Sequence, residues 1–383
     1  MALTLYWFLP SHGDGRGLGR RGAASAPQRA PDLVYLTQVA CAADQLGFAG
    51  MLVPTGLFCE DPWLLSAALA ERTGRVRFMV AVRPSLLSPL VAAQMAATAQ
   101  RLTGNRLDLN VVTGGDPDEQ GRYGSWLDHE QRYAQTAEFL SIVNGVWSGM
   151  PFDFSGTHFR VERALLSRPP EVPPTIFVGG SSAEARRVAA RFAEVYLAWG
   201  ESPASMAEMF ADVRGLAATF GRDPRFGTRF HVICRDTTDE AWAVARRLIA
   251  DLDPTLVAAA QARVRKSDSV GQQRMAALHG GQADQLEVYP NVWAGYGLVR
   301  PGAGAALVGS YQQVADRIEE FYRSGATYLI LSGQPHLEEA YSFGEGVMPL
   351  LRARGLIEAD GQPEPARPAA ARPGTPVQAT RAS

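Results

Sequence analysis

Lysine is almost absent from this chain. Lys266 is the only one among 37 basic residues, so the other 36 are arginine. A phosphate-binding loop of the G-x-x-x-x-G-K-[ST] type needs a lysine at a fixed place. Lys266 stands in Arg265-Lys266-Ser267-Asp268 with no glycines before it, which excludes P-loop ATPases and GTPases. Schiff-base chemistry would have this one residue or none. Base-composition bias in the genome suffices to explain the excess of arginine. Its consequence is that anion binding falls to arginine, backbone N–H groups and histidine.

Other absences narrow the class further. The three cysteines (Cys41, Cys59, Cys234) form no C-x-x-C pair, so no disulfide framework is expected. The six histidines show no H-E-x-x-H or similar metal spacing. No apolar run reaches the 18 residues of a membrane span. Met1-Ala2-Leu3-Thr4 lacks the basic start of a signal peptide. The net charge is −2, and no basic cluster carries aromatics, which argues against nucleic acid. A cytoplasmic enzyme handling a small molecule is the expectation.

What is present is an alternation of short β-rich runs and longer helical patterns. Strands are expected at residues 3–9, 49–54, 76–82, 106–112, 175–178, 195–198, 228–235 and 328–332. Helices are expected at 32–46, 61–71, 88–102, 130–146, 182–192, 203–220, 238–251 and 336–351. Asp61 is a natural N-cap before Pro62, and Gly47 a natural helix stop. Eight β-then-α units predict an α/β fold, a (β/α)8 TIM barrel in one domain over residues 1–357. A hairpin at 152–161 is an insertion. Residues 253–309 break the rhythm and read as a mobile insertion or lid, and an extra helix at 312–323 leads into the last strand. Residues 358–383 hold almost no large apolar side chains and read as a disordered tail.

In such a barrel, function gathers where strands run into βα loops. Those positions include His12, Thr55, Cys59, Arg83, Thr113, Gly180, Ser181, Ser182, Trp199, Gln334 and His336. Arg229 and His231 are two apart on one strand and share the barrel-facing side, while Phe230, Val232 and Cys234 take the other. A buried arginine calls for an anion, though a core carboxylate would serve as well as a ligand. In Gly179-Gly180-Ser181-Ser182-Ala183-Glu184, Ser181 and Glu184 fit a capping box at a helix N-terminus suited to phosphate. An ordinary capped turn has the same signature. Cys59 would be reactive only with a lowered pKa, and a small buried side chain is the alternative. Arg300 lies in the glycine-rich end of the insertion, where a lid could supply a second anion ligand. Trp199 could stack on a flat cofactor or pack the barrel.

The same segments resemble the alkanesulfonate monooxygenases, flavin-dependent members of the bacterial luciferase-like family. The likeness is carried by Trp7-Phe8-Leu9-Pro10-Ser11-His12-Gly13-Asp14-Gly15, by Asn110-Val111-Val112-Thr113-Gly114-Gly115-Asp116-Pro117 and by Leu127-Asp128-His129-Glu130-Gln131-Arg132-Tyr133. It continues through Arg229-Phe230-His231-Val232-Ile233, the run from Asp268 to His279, and Pro335-His336-Leu337-Glu338-Glu339-Ala340-Tyr341. The resemblance implies a homotetramer that uses FMN as FMNH2, supplied by a separate NAD(P)H-dependent FMN reductase. With O2 it would cleave an alkanesulfonate to an aldehyde and sulfite for sulfur assimilation. It places Ser181, Ser182 and Tyr133, with Gly180, at the FMN phosphate. It places His12, Thr55, Asn110 and Thr113 along the flavin, with Cys59 near it. Arg229, His231, Trp199 and Arg300 would surround the sulfonate, with Gln334 beside them.

The chain also departs from the family pattern. Leu57 and Phe58 stand where Arg-Ser is usual, Gln334 replaces a tyrosine, and Pro301 replaces a glycine. The loop at 16–30 is longer and more basic than usual. These departures bear on substrate more than on chemistry. A reduced-flavin monooxygenase for methanesulfonate, a sulfone or another organosulfur compound stays open. So do a deazaflavin-dependent oxidoreductase and a non-catalytic flavin-binding relative.

Overall fold

The computed structural model describes residues 2–18, 29–282 and 285–358. The tail expected to be disordered lies, from residue 359 on, outside the described residues, as does 19–28 of the basic loop.

The first half of the chain alternates as expected. It runs through β1 (Thr4–Phe8), α1 (Leu33–Leu46), β2 (Gly50–Val53), α2 (Pro62–Ala70), β3 (Arg77–Val82), α3 (Pro89–Thr103) and β4 (Leu107–Val111). A short helix not foreseen, α4 (Pro117–Arg122), precedes α5 (His129–Val146). The hairpin pairs β5 (Phe152–Ser155) with β6 (Arg160–Ala164). Then follow β7 (Thr175–Gly179), α6 (Ala183–Phe192), β8 (Val195–Trp199), α7 (Pro203–Ala218) and β9 (Arg225–Arg235). Local chemistry sets the ends. Asp32 accepts the Tyr35 N–H to start α1, Gly47 at φ 89° stops it, and Asp61 caps α2 ahead of Pro62.

The second half carries the insertion: α8 (Thr238–Ala250), α9 (Pro254–Lys266), α10 (Val270–His279), β10 (Glu287–Tyr289), β11 (Val292–Trp293) and β12 (Ala306–Ser310). The chain closes with α11 (Tyr311–Arg323), β13 (Ala326–Ser332), α12 (His336–Gly346) and α13 (Met348–Ala353). The stretch 253–309 is thus mostly regular structure.

Eight parallel strands close on themselves in the order β1, β2, β3, β4, β7, β8, β9, β13. The (β/α)8 barrel is as expected. Side chains alternate across its wall. Tyr6, Phe8, Leu52, Met79, Phe177, Leu197, Tyr328 and Ile330 fill the interior, while Leu5, Trp7, Met51, Phe78, Val80, Phe230 and Val232 pack against the helices.

The seventh unit differs from the sequence-based expectation. The helix after β9 was expected at 238–251 as the barrel's seventh. Instead α8 packs against β12 and the outer end of β9, and α11 takes the place in the ring beside α7, α13 and β13. The cause is the length of β9. Residues 225–229 pair with β8, residues 231–235 with β12, and β13 lies on the other edge. The strand therefore runs out of the barrel into a side sheet. Ile233, Ala241, Leu248, Trp293, Tyr296 and Val308 form a separate apolar cluster there.

Deep in the barrel, the Tyr6 hydroxyl donates to Asp108 at 2.7 Å, and Arg77 grips the same carboxylate at 2.6 and 2.9 Å. A β-carbon at Gly50 would come within 2.2 Å of the Tyr6 ring, which these bonds hold in place. Gly50→Ala is therefore expected to cost about 1–3 kcal/mol through overpacking. Urea unfolding should show a lower midpoint at an unchanged slope, and an unchanged midpoint would mean the ring is free to move.

Candidate active site

The mouth of the barrel gathers positive charge. Arg229 lies half-buried on the interior face of β9, with its guanidinium carbon 4.2 Å from the centre of the Phe8 ring. Its Nε is buried with no hydrogen-bond partner among the described residues. Arg300, from the insertion, sits over Tyr296 at 6.0 Å. Neither forms a salt bridge among the described residues, so the core carboxylate that could have balanced Arg229 is absent there. Burial, then the charge of Arg300, lowers Arg229 to about 10. Burial lowers Arg300 as well. Two cations share the pocket with no ion pair to either among the described residues, and only the Asp14 charge, already held by His336 and Tyr35, acts on Arg300; such a pocket suits an anion.

His231 plays a different part from the one expected. Its Nε2 faces the Ala303 carbonyl at 3.1 Å and must donate to it. Its Nδ1 then accepts from the Ser332 hydroxyl at 2.9 Å. Its ring stacks on Tyr296 with centres 3.8 Å apart. Both nitrogens are committed, so His231 does not bind the anion. It fastens the segment that carries Arg300 to the barrel. Burial, then the Arg229 charge, holds it well below the usual histidine range, which keeps it neutral.

A second group was not singled out in the sequence. The Asp14 carboxylate accepts from the His336 backbone N–H at 2.7 Å, from His336 Nδ1 at 3.0 Å and from the Tyr35 hydroxyl. Burial opposes its ionisation, but these bonds bring it down to about 2. His12 lies in the same corner, and burial with the Arg300 charge lowers it to about 4. Gln334 donates one amide N–H to the Gly17 carbonyl at 2.5 Å, and its Oε1 is buried without a partner among the described residues. Burial raises Cys59, which stands as a neutral thiol. Arg83 pairs with Glu119 at 2.8 Å on the neighbouring wall.

Across the mouth lies a polar cradle. Ser182, not Ser181, caps α6 by accepting the Ala185 N–H at 3.1 Å. The expected Ser181–Glu184 capping box is therefore not formed, because the helix begins one residue later. Glu184 lies 3.9 Å from His129. The Tyr133 hydroxyl lies beside Ser182 and Thr113, whose hydroxyls lower its pKa against the effect of burial. Gly180 has φ 132°, and a β-carbon there would meet the Tyr133 hydroxyl at 3.0 Å. The Ser181 hydroxyl makes no hydrogen bond among the described residues, leaving it free for a ligand. A cradle of hydroxyls, a helix N-terminus and a glycine that only a bare backbone satisfies fits a phosphate. Trp199 stands between the cradle and the cations. It pairs in register with Arg229, and its ring and Ser181 both border Gly271 of α10. Thr55 and Asn110 lie half-buried at the ends of β2 and β4 and form no side-chain hydrogen bond among the described residues.

The luciferase-like monooxygenase family model matches residues 4–328. The chain belongs to the luciferase-like monooxygenases. Solved structures of similar fold include the riboflavin lyase RcaE, with modified FMN and riboflavin, at 20% identity and a TM-score of 0.78, covering 95% of this chain and 94% of that one. The EDTA monooxygenase EmoA of Chelativorans sp. BNC1 matches at 22% identity and 0.75, over 94% and 95%. DmoA of Hyphomicrobium sulfonivorans matches at 19% and 0.74, over 97% and 96%. At these identities the likeness shows the fold, and this luciferase-like monooxygenase must be read for its substrate from its own pocket.

The neutral histidines make a pH prediction. An unfolded histidine titrates near 6.5, while burial and the Arg229 charge hold His231 in the folded chain well below that. Between those values the unfolded chain takes a proton that the folded chain refuses. Stability from this group is therefore fully present above about pH 6.5 and lost as pH falls, at up to about 1.4 kcal/mol per pH unit. Melting temperatures at neutral and mildly acid pH should show this slope, and His231→Gln should flatten it. An unaltered slope in the variant would place the titration elsewhere.

Proposed function

We propose that this enzyme is a reduced-flavin monooxygenase that cleaves the carbon–sulfur bond of an organosulfonate. One observation carries the reading: Arg229 and Arg300 share the pocket, and neither is in ion-pair contact with a carboxylate among the described residues. A sulfonate offers three oxygens to guanidinium forks and keeps its charge at any physiological pH. The Ser181, Ser182, Tyr133 and Thr113 cradle would hold the FMN phosphate. Bound reduced FMN would supply the electrons that activate O2, and an NAD(P)H-dependent reductase would deliver it.

The chain's own residues do the rest. Arg229 and Arg300 bind and orient the anion, and His231 keeps Arg300 in place through the Ala303 carbonyl. Phe8, Tyr296 and Trp199 line the site with rings that limit water. Leu57 and Phe58 are 39% and 67% exposed on the loop that leads to Cys59. Cys59 itself feels the Arg229 charge, so the loop borders the pocket. An apolar rim there favours a sulfonate with an apolar tail over a very small or dianionic one.

Purified protein given FMNH2, O2 and a panel of sulfonates is expected to release sulfite, most readily from those with apolar tails. Flavin binding without sulfite from any of them would sink the reading. Arg229→Ala should weaken sulfonate binding about 10- to 100-fold, the worth of one charge-assisted contact, with FMN binding nearly unchanged. Tyr133→Phe should do the converse, weakening FMN about 2- to 10-fold as expected for one neutral hydrogen bond. Titration followed by tryptophan fluorescence measures both, and loss of the same ligand in both variants would contradict the two-site arrangement.

A further inference from the structure

We infer that His336 takes the proton from the carbon next to sulfur and that Asp14 positions it for this. The inference rests on the desulfonation reading above. In that reaction a sulfonate carbon bearing two hydrogens becomes an aldehyde carbon bearing one. O2 takes one electron pair from the reduced flavin and one from the C–H bond. One oxygen atom joins carbon and the other leaves as water. The C–S pair leaves with sulfite, and the C–H proton needs an acceptor.

The pocket offers few. His231 has both nitrogens engaged, with Nε2–H committed to Ala303. Burial raises Cys59 and Tyr296, so both stand protonated. Gln334 is no base. His12 is open but has no carboxylate bonded to its ring among the described residues. His336 alone of these histidines has one nitrogen fixed and one free. Its Nδ1 must donate to the ionised Asp14 at 3.0 Å, while Asp14 also accepts the His336 backbone N–H. This pins the tautomer and leaves a lone pair on Nε2, which makes no hydrogen bond among the described residues. The ring is also well placed. Its centre lies 5.8 Å from that of Phe8, the same ring over which Arg229 sits at 4.2 Å. Base and anion-binding arginine share one aromatic floor.

The arrangement explains how a weak base could act on demand. Burial holds His336 low, Asp14 opposes this, and the charges of Arg300 and Arg229 push it down again. A sulfonate between the two arginines cancels those charges. Substrate binding thus raises the basicity of the group that must accept the proton.

The test uses a sulfonate that the wild-type enzyme desulfonates, in ordinary form and with both hydrogens next to sulfur replaced by deuterium. His336→Gln is expected to lower kcat about 10²- to 10⁴-fold, as loss of a general base does, with sulfonate affinity nearly unchanged. The isotope effect on kcat should grow, because C–H cleavage becomes limiting. Asp14→Asn should lower kcat in the same sense by favouring the wrong tautomer. Turnover of His336→Gln within about threefold of wild type would overturn the assignment, since general bases contribute far more than that. Should that variant not fold, nitrogen NMR of the wild-type chain decides: Nδ1–H with bare Nε2 supports the assignment, and Nε2–H overturns it. No sulfite from wild type would overturn the desulfonation reading and this inference together. Sulfite from wild type and undiminished turnover in His336→Gln would overturn this inference alone.

Discussion

Two guanidinium groups held in one pocket with no ion pair to either among the described residues are the costly feature around which this barrel is arranged. Burial depresses both Arg229 and Arg300, and the Arg300 charge depresses Arg229 further. Nearby charges are otherwise paired. Asp14 is taken by His336 and Tyr35, Glu339 by Arg235, Glu119 by Arg83 and Asp108 by Arg77. Partial compensation comes from the faces of Phe8 and Tyr296 and from histidines kept neutral. On the proposed function, an anionic substrate would supply the charge that these groups lack.

Arg300 reaches the site only because the insertion is tied down on several sides. Arg132 holds Asp268 at 2.6 Å, Arg263 holds Asp116 at 2.5 Å and Arg274 holds Glu201 at 2.6 Å. Gln272 accepts the Gly302 N–H at 2.8 Å, and Gln261 donates to the Gly297 and Leu298 carbonyls. The partly exposed ion pairs are individually weak. Together with His231 they fix the register of one arginine against another that is 71 positions away in the chain. A site shared between a rigid barrel wall and a tethered segment can admit a ligand and still hold its contacts in place.

Much of this was legible beforehand. The eight units, the cap at Asp61, the glycine stop at Gly47 and the inward side of Arg229 follow from periodicities of two and 3.6 and from local hydrogen bonding. The ring position of α11 was not legible. Both α8 and α11 carry an amphipathic pattern, and which one enters the ring depends on how far β9 runs past β8. The cap at Ser182 was missed by one residue, because Ser181 and Ser182 are equally good caps on sequence. The pairing of Asp14 with His336 was not legible either. A carboxylate in the glycine-rich loop after β1 was the signal, and its partner 322 residues away was not.

The sequence by itself determined the fold class, the absence of lysine chemistry and the inventory of groups at the strand ends, because each depends on neighbours within a few residues. Only the tertiary structure decided what those groups are free to do. His231 and His336 are both histidines at a strand end, yet one has Ala303 and Ser332 on its two nitrogens and the other has Asp14 on one. Hydrogen-bond saturation depends on partners that chain closure brings together, and no local pattern encodes it.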